Sequence, residues 1–282
     1  MFLTECLGGI PLSNDGSVLD TIHIVTATNN AYAEHLAVMI NSLLENKVSK
    51  NPIKIYVIGS DISQKNKSLL ARTVRKYKAR IRFKQVDPKI YEEFMKVVSV
   101  GNAQKYLTKE TYYRIAIPDL LRSRVRKAIY LDSDMIVKED ITKLWNMDID
   151  QYFLGAVEDY WVKDSRNKSL SMPRKSKYFN AGVLVINLKK WREERVKNKI
   201  IEFIKKNSSK IKFYSQDPLN AIFHDKWLQI DPKWNFQTQY LSYSKLKNIK
   251  PAIIHYTGGN KPWKSKHPLK EEYLKYRKNV FN

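Results

Sequence analysis

The chain has 282 residues, 43% of them hydrophobic and 12% aromatic, which suffices for the core of one large domain or two small ones and excludes a disordered chain. Its 51 Lys and Arg against 28 Asp and Glu give a formal net charge of +23, pointing either to anionic partners (nucleic acid, anionic lipid, phosphorylated small molecules) or to helix faces solvated by lysine. The single cysteine, Cys6, excludes an intrachain disulfide and a CxxC zinc site, and no apolar run reaches the ~18 residues that span a bilayer.

The first twenty residues lack a basic n-region and carry Glu5 early, so no signal peptide is expected and the cytosol is the expected compartment. IHIVTAT at 22–28 reads as a buried strand. Tyr32, Leu36, Met39, Ile40, Leu43 and Leu44 then recur on one helical face. PIKIYVIGS at 52–60 is a second strand, and Ser63 is placed to cap a helix with Leu69, Leu70, Val74 and Tyr77 on its apolar side. RIRFKQV at 80–86 and KAIYL at 127–131 are further strands. This alternation predicts an α/β fold with a mainly parallel central sheet flanked by helices. In such sheets ligands bind beyond the carboxyl ends of the strands. TATNNAY stands at one such end, and Asp132 and Asp134 at another.

The second half is less regular. YFLGAVE and AGVLVINL read as buried strands, and a helix with Val196, Ile200, Phe203 and Ile204 on one side follows. Ser215 is the expected cap of the helix QDPLNAIF, with Pro218 in its first turn. PAIIHY at 251–256 is the last strand. After Trp263 the sequence is mostly charged, so the organisation expected is one domain over 20–263 and a short basic tail over 264–282.

The stretch YLDSDMIVKEDITKLW carries the chemistry. Side chains two apart in extended backbone point the same way, and two carboxylates so placed repel unless a cation sits between them. Carboxylate oxygens suit Mg2+ or Mn2+, and an added imidazole favours Mn2+. The sequence contains its own control: Asp148 and Asp150 repeat the spacing, but no strand delivers them to a crevice, and they read as a turn. No Walker A loop, no G-x-G-x-x-G after the first strand and no HExxH is present.

YLDSDMIVKEDITKLW, YFNAGVLVINLKKW and HYTGGNKPW, with IVTATNNAY and TYYRIAIPDLL before them, resemble glycosyltransferase family 8 in the same order, over roughly residues 20 to 263. The resemblance implies a GT-A fold, a UDP-hexose donor (galactose or glucose), Mn2+ with Mg2+ as the alternative, and transfer with retention to a carbohydrate or glycoconjugate acceptor. It implies that Asp132, Asp134 and His255 bind the metal, with the Ser133 backbone near the ribose. Ala27, Thr28, Asn29 and Tyr32 fall where the family holds base and ribose, Tyr32 stacking on the uracil. Arg114, Asn180 and Gln216 match residues around the donor sugar, and Asp159 a carboxylate at the sugar and acceptor end. Gly258 and Lys261 match a loop closing on the diphosphate. Asn29 stands where the family commonly has Asp, and Ser215 precedes Gln216 where an Asp is common.

Each assignment has a plainer reading beside it. Tyr32 could open the helix core, Asn180 could be a turn residue, and Gly182 could be small only for packing. Two rival functions also stand: a non-catalytic sugar-nucleotide binder, and a nucleic-acid-binding protein. No RRM, KH or helix-turn-helix pattern accompanies the charge, so no nucleic-acid partner is expected. The remaining histidines, His23, His35, His224 and His267, read as structural or surface. Tyr273, Leu274, Tyr276 and Phe281 of the basic tail offer a peripheral contact with anionic membrane on the cytoplasmic face.

Overall fold

The computed structural model describes residues 6–7, 10–11, 19–87, 89 and 109–281. The signal-peptide reading of the first twenty residues falls largely outside them. Residues 6–7 and 10–11 form a small antiparallel hairpin.

The first half alternates as its periodicity requires: β1 (Ile22–Ala27), α1 (Ala33–Glu45), β2 (Ile53–Ile58), α2 (Gln64–Arg75) and β3 (Arg80–Lys84). Ser63 caps α2 by accepting from the Asn66 N–H at 3.3 Å. Then come β4 (Lys127–Leu131), β5 (Met135–Val137), β6 (Leu154–Glu158), α3 (Asp164–Ser169) and β7 (Phe179–Asn187). The chain closes with α4 (Val196–Lys206), α5 (Gln216–Phe223), β8 (Trp227–Gln229), β9 (Phe236–Gln237), β10 (Ile253–His255) and α6 (Lys270–Phe281).

Seven strands form one sheet in the order β8-β6-β7-β4-β1-β2-β3. Every pairing in it is parallel except the two made by β7, which runs against β4 and β6. Alternation along β1 sends Ile22 and Ile24 into one hydrophobic layer and Val25 and Ala27 into the other. Strand β7 is buried along its whole length, which is why it reads as a continuous apolar run. Its reversed direction matters for function. The amino end of β7 lies beside the carboxyl ends of β4 and β6, so Asn180 and Gly182 meet Asp132 and Asp159 at one edge of the sheet. A register break sharpens this: Ala156 pairs with Leu184 but Val157 with Asn180, so one step on β6 faces four residues of β7.

A second sheet, β9-β10-β5, explains how residues far apart in sequence meet. β10 pairs antiparallel with β5, His255 opposite Met135, and the Tyr256 N–H donates to Asp134 O at 3.0 Å. The strand that leaves the aspartates is thus the partner of the strand that ends in His255.

Two expectations are corrected here. Ser215 does not cap α5: it already has helical backbone angles, and its hydroxyl donates to Thr111 O at 2.6 Å. The segment expected as a free basic tail contains α6, which packs on α1. Tyr273, Tyr276 and Val280 are buried in the larger core, so the two tyrosines assigned to a membrane are occupied inside the fold. Their i, i+3, i+7 spacing is an apolar helical stripe, obscured in the sequence by the surrounding charges. Among the described residues no helix is long and apolar enough to cross a membrane.

Candidate active site

The edge where β1, β4 and β6 end and β7 begins opens into a cavity of about 460 Å3, within the range of small-ligand sites. Each residue assigned above to metal, base, donor sugar or diphosphate lines it. Asp148 and Asp150 lie elsewhere, in an exposed turn where Asp148 Oδ1 accepts from the Asp150 N–H at 2.8 Å.

At the centre, Asp132, Asp134 and His255 each offer one ligand atom, all within 4.8 Å of one another. The outer carboxylate oxygens are already engaged. Asp132 Oδ1 accepts from Arg114 Nη2 at 2.9 Å and from the Tyr130 hydroxyl at 2.7 Å. Asp134 Oδ2 accepts from Lys261, which also donates to Tyr256 O. The inner oxygens face the imidazole: Asp134 Oδ1 lies 3.4 Å and Asp132 Oδ2 3.8 Å from His255 Nε2. His255 Nδ1 is held by Asn235 Oδ1 at 2.9 Å, which makes Nδ1 the donor and turns the Nε2 lone pair toward the carboxylates. Two inward oxygens and an inward imidazole nitrogen form a donor set that fits Mn2+, or Mg2+ less well. Burial alone would raise the Asp134 carboxyl, but the Lys261 ammonium beside it opposes this, and the group lies well below the usual carboxylate range.

Gly182 belongs to this centre. A Cβ there would overlap the His255 ring and crowd Asn180 Oδ1, so glycine is required for close approach and not only for packing between strands. Gly182→Ala is expected to push the imidazole out of line and weaken Mn2+ binding about 10- to 100-fold, the usual effect of disturbing a ligand's support. Titration calorimetry with Mn2+ checks this, with Asp148→Ala as the unaffected control.

Next to these three side chains lies a chain of amides. Asn235 Nδ2 donates to Asn180 Oδ1 at 2.9 Å, and Asn180 Nδ2 donates to Asp159 Oδ2 at 3.1 Å. Gln216 Nε2 donates to the same Asp159 oxygen at 3.1 Å, while its Oε1 accepts from the Ala181 N–H at 2.9 Å. Among the described residues Asp159 Oδ1 accepts a single, longer bond from the Trp161 N–H, at 3.4 Å. Burial pushes the Asp159 carboxyl upward, opposed by these amide donors. The turn into Gln216 passes through Tyr214, whose φ of 45° is a strained conformation for a buried aromatic.

The end of the cavity expected to hold the nucleoside is built from β1 and the turn after it. Asn29 Oδ1 accepts from the Tyr32 N–H at 3.0 Å, and Ser133 Oγ donates to Ala27 O at 2.7 Å, tying the aspartate turn to β1. The Tyr32 ring stands edge-on to Trp263 and His35. Gly258, at φ 77°, makes a left-handed turn in the loop that carries Lys261.

Sequence reasoning missed Asn235, Gln237, Gln239 and Glu110. Asn235 and Gln237 are fully buried, and both belong to the amide network. The signal was the run NFQTQ between buried aromatics: uncharged amides where a strand core would be apolar.

The sequence matches the model of glycosyl transferase family 8 over residues 23–267. The chain belongs to glycosyltransferase family 8. This family 8 chain is 36% identical over 274 residues to general stress protein A of Bacillus subtilis (strain 168), covering 91% of itself and 93% of that protein. Its structure is similar to that of the galactosyltransferase LgtC in complex with donor and acceptor sugar analogs, with a TM-score of 0.82, 25% identity, and coverage of 93% and 97% of the two chains. It also resembles the glycosyltransferase GlyE of Streptococcus pneumoniae TIGR4, with a TM-score of 0.70, 26% identity, and coverage of 91% and 60%. The expected GT-A fold with a mainly parallel central sheet is the fold observed, and that sheet has seven strands among the described residues.

Proposed function

We propose that this family 8 glycosyltransferase moves a hexose, galactose or glucose, from a UDP-sugar to a hydroxyl of a carbohydrate or glycoconjugate acceptor of the cell surface, retaining the anomeric configuration. The observation that carries the reading is the inward-facing Asp132, Asp134 and His255 set at the mouth of the sheet. LgtC, the similar galactosyltransferase, has been crystallised with donor and acceptor sugar analogs, which supports a two-sugar site. Asp132, Asp134 and His255 would hold Mn2+, which supplies Lewis-acid neutralisation of a diphosphate. Lys261, on the adjoining loop, adds positive charge where negative charge develops on the leaving group.

The donor sugar is assigned to the space bounded by Arg114, Asn180 and Gln216. The Gln216 amide is a poor nucleophile, and the buried Asp159 carboxylate is held by Asn180, Gln216 and the Trp161 backbone. A double displacement is therefore disfavoured. Attack of the acceptor hydroxyl on the leaving-group face, through an oxocarbenium-like state, accounts for retention. In that scheme the departing UDP oxygen takes the acceptor proton, and Asp159 offers negative charge beside the sugar. Trp161, 61% exposed at the cavity rim, offers an apolar face for an acceptor ring. We place the enzyme in the cytosol. Contact with anionic lipid, where it occurs, would rest on the exposed Lys275, Arg277 and Lys278 of α6.

The test is release of UDP from UDP-galactose, UDP-glucose and UDP-N-acetylglucosamine, with Mn2+ and then EDTA. Release from one of the first two, abolished by EDTA, is expected. An NMR spectrum showing a β product from the α donor would rule out retention, and no release from any donor would remove the UDP-sugar reading.

A further inference from the structure

Glu110 lies in the 3-10 segment Lys109–Ala116 that also carries Arg114, and it lines the cavity together with Asn29 and Tyr32. It is only 5% exposed. Its Oε2 accepts one long hydrogen bond, 3.4 Å, from Asn29 Nδ2, and its Oε1 has no partner among the described residues. The same molecule shows what a structural buried carboxylate looks like. Asp217 takes Arg166, the Tyr178 hydroxyl and two backbone N–H groups. A carboxylate buried with a single weak donor costs stability. Glu110 lines the cavity, so a ligand held there can supply the missing donor.

The neighbour narrows the ligand. Asn29 Oδ1 is committed to the Tyr32 N–H, so Asn29 meets the cavity as a donor, with one Nδ2 hydrogen beyond the bond to Glu110. The two carboxylate oxygens exchange by rotation about a soft terminal torsion, so either can turn to the cavity. An acceptor beside a donor matches the edge of uracil, where an imino N–H lies next to a carbonyl oxygen. Cytosine presents a ring nitrogen lone pair at the same place and would repel the carboxylate.

We infer that Glu110 reads the base of the donor: its carboxylate accepts the uracil N3–H while Asn29 donates to an adjoining uracil carbonyl. This rests on the UDP-sugar reading above.

The test is calorimetric binding, with Mn2+ present, of UDP, N3-methyl-UDP and 2′-deoxy-UDP to the full-length wild type and to Glu110→Ala. Glu110→Met serves where bulk is needed for folding. The wild type should prefer UDP to N3-methyl-UDP by about 10- to 100-fold, the range for a hydrogen bond to a charged group. In the variant the preference should collapse to about threefold or less, through weaker UDP binding. A ratio of two ligands on one protein cancels any loss of folded material. An unchanged ratio overturns the inference. So does a collapse caused by tighter N3-methyl-UDP, which would make Glu110 a space-filler, or a change confined to 2′-deoxy-UDP, which would move the contact to the ribose. A wild type that binds UDP yet shows one of these results sinks only the Glu110 assignment. A wild type that binds no UDP sinks the donor reading with it.

Discussion

Asp132→Asn and Asp134→Asn should each lower transfer by about 10³-fold in kcat/KM and abolish tight Mn2+ binding. A cation holding a leaving diphosphate is worth several kcal/mol in the transition state, and about 4 kcal/mol corresponds to three decades of rate. Asparagine is the informative replacement. At position 132 its carbonyl can still accept from Arg114 and Tyr130, so a loss of rate reports the inner oxygen and not collapse of the wall. At position 134 asparagine keeps a side-chain carbonyl for Lys261, only 5% exposed, whereas alanine would leave that buried ammonium with the Tyr256 carbonyl as its remaining acceptor among the described residues, which costs stability by itself. Asp148→Ala removes a carboxylate of the same spacing from an exposed turn and should leave transfer within about twofold. Initial rates with the three variants, beside Mn2+ titrations, decide the matter. Equal losses at all three positions would mean that the pair at the end of β4 is not special.

That contrast between two D-x-D tripeptides marks what could be read from the sequence. Periodicity located β1, α1, β2, α2, β3 and β4, because a buried strand or an amphipathic helix writes its own period into the chain. Asp132 and Asp134 were legible because KAIYL delivers them, a local fact. His255 was legible only through family resemblance. Its approach to Asp134 depends on the pairing of β5 with β10, and nothing local specifies that partner. Asn235 and Gln237 left a local mark, the amide-rich run NFQTQ, but their burial at the site follows from the pairing of β9 with β10, which that run does not specify. The break in register between β6 and β7 that brings Asn180 beside Asp159 has no sequence mark either. Nothing local in the sequence sets Glu110 apart from the other acidic residues; its burial and poor pairing among the described residues are features of the fold.

The basic C-terminal segment gives the largest stability effect expected, and the reason lies in the same aspartate turn. The Tyr276 ring is 2% exposed, and its hydroxyl accepts from Asn46 Nδ2 at 2.8 Å. Asn46 also donates to Val137 O at 2.9 Å, on β5, the strand leaving Asp134. Tyr273 accepts or donates at His35 Nδ1, 2.7 Å away, and His35 stacks on Trp263 at 3.6 Å between centroids, beside Tyr32. Helix α6 therefore backs both β5, which leaves Asp134, and the cavity wall that carries Tyr32. Tyr276→Ala should cost about 3–5 kcal/mol, the range for truncating a buried aromatic, and lower the Tm by about 6–20 °C in a chain of this size. Deleting residues 264–282 removes Tyr273, Tyr276 and Val280 together and uncovers α1, against a total stability of about 5–15 kcal/mol. The truncated chain should lose its cooperative urea transition. Replacing the exposed Lys275, Arg277 and Lys278 by serine should leave the unfolding free energy within about 0.5 kcal/mol per site. A truncated chain that unfolds at the wild-type midpoint would return the segment to the status of a solvated tail, with its charge as its only contribution.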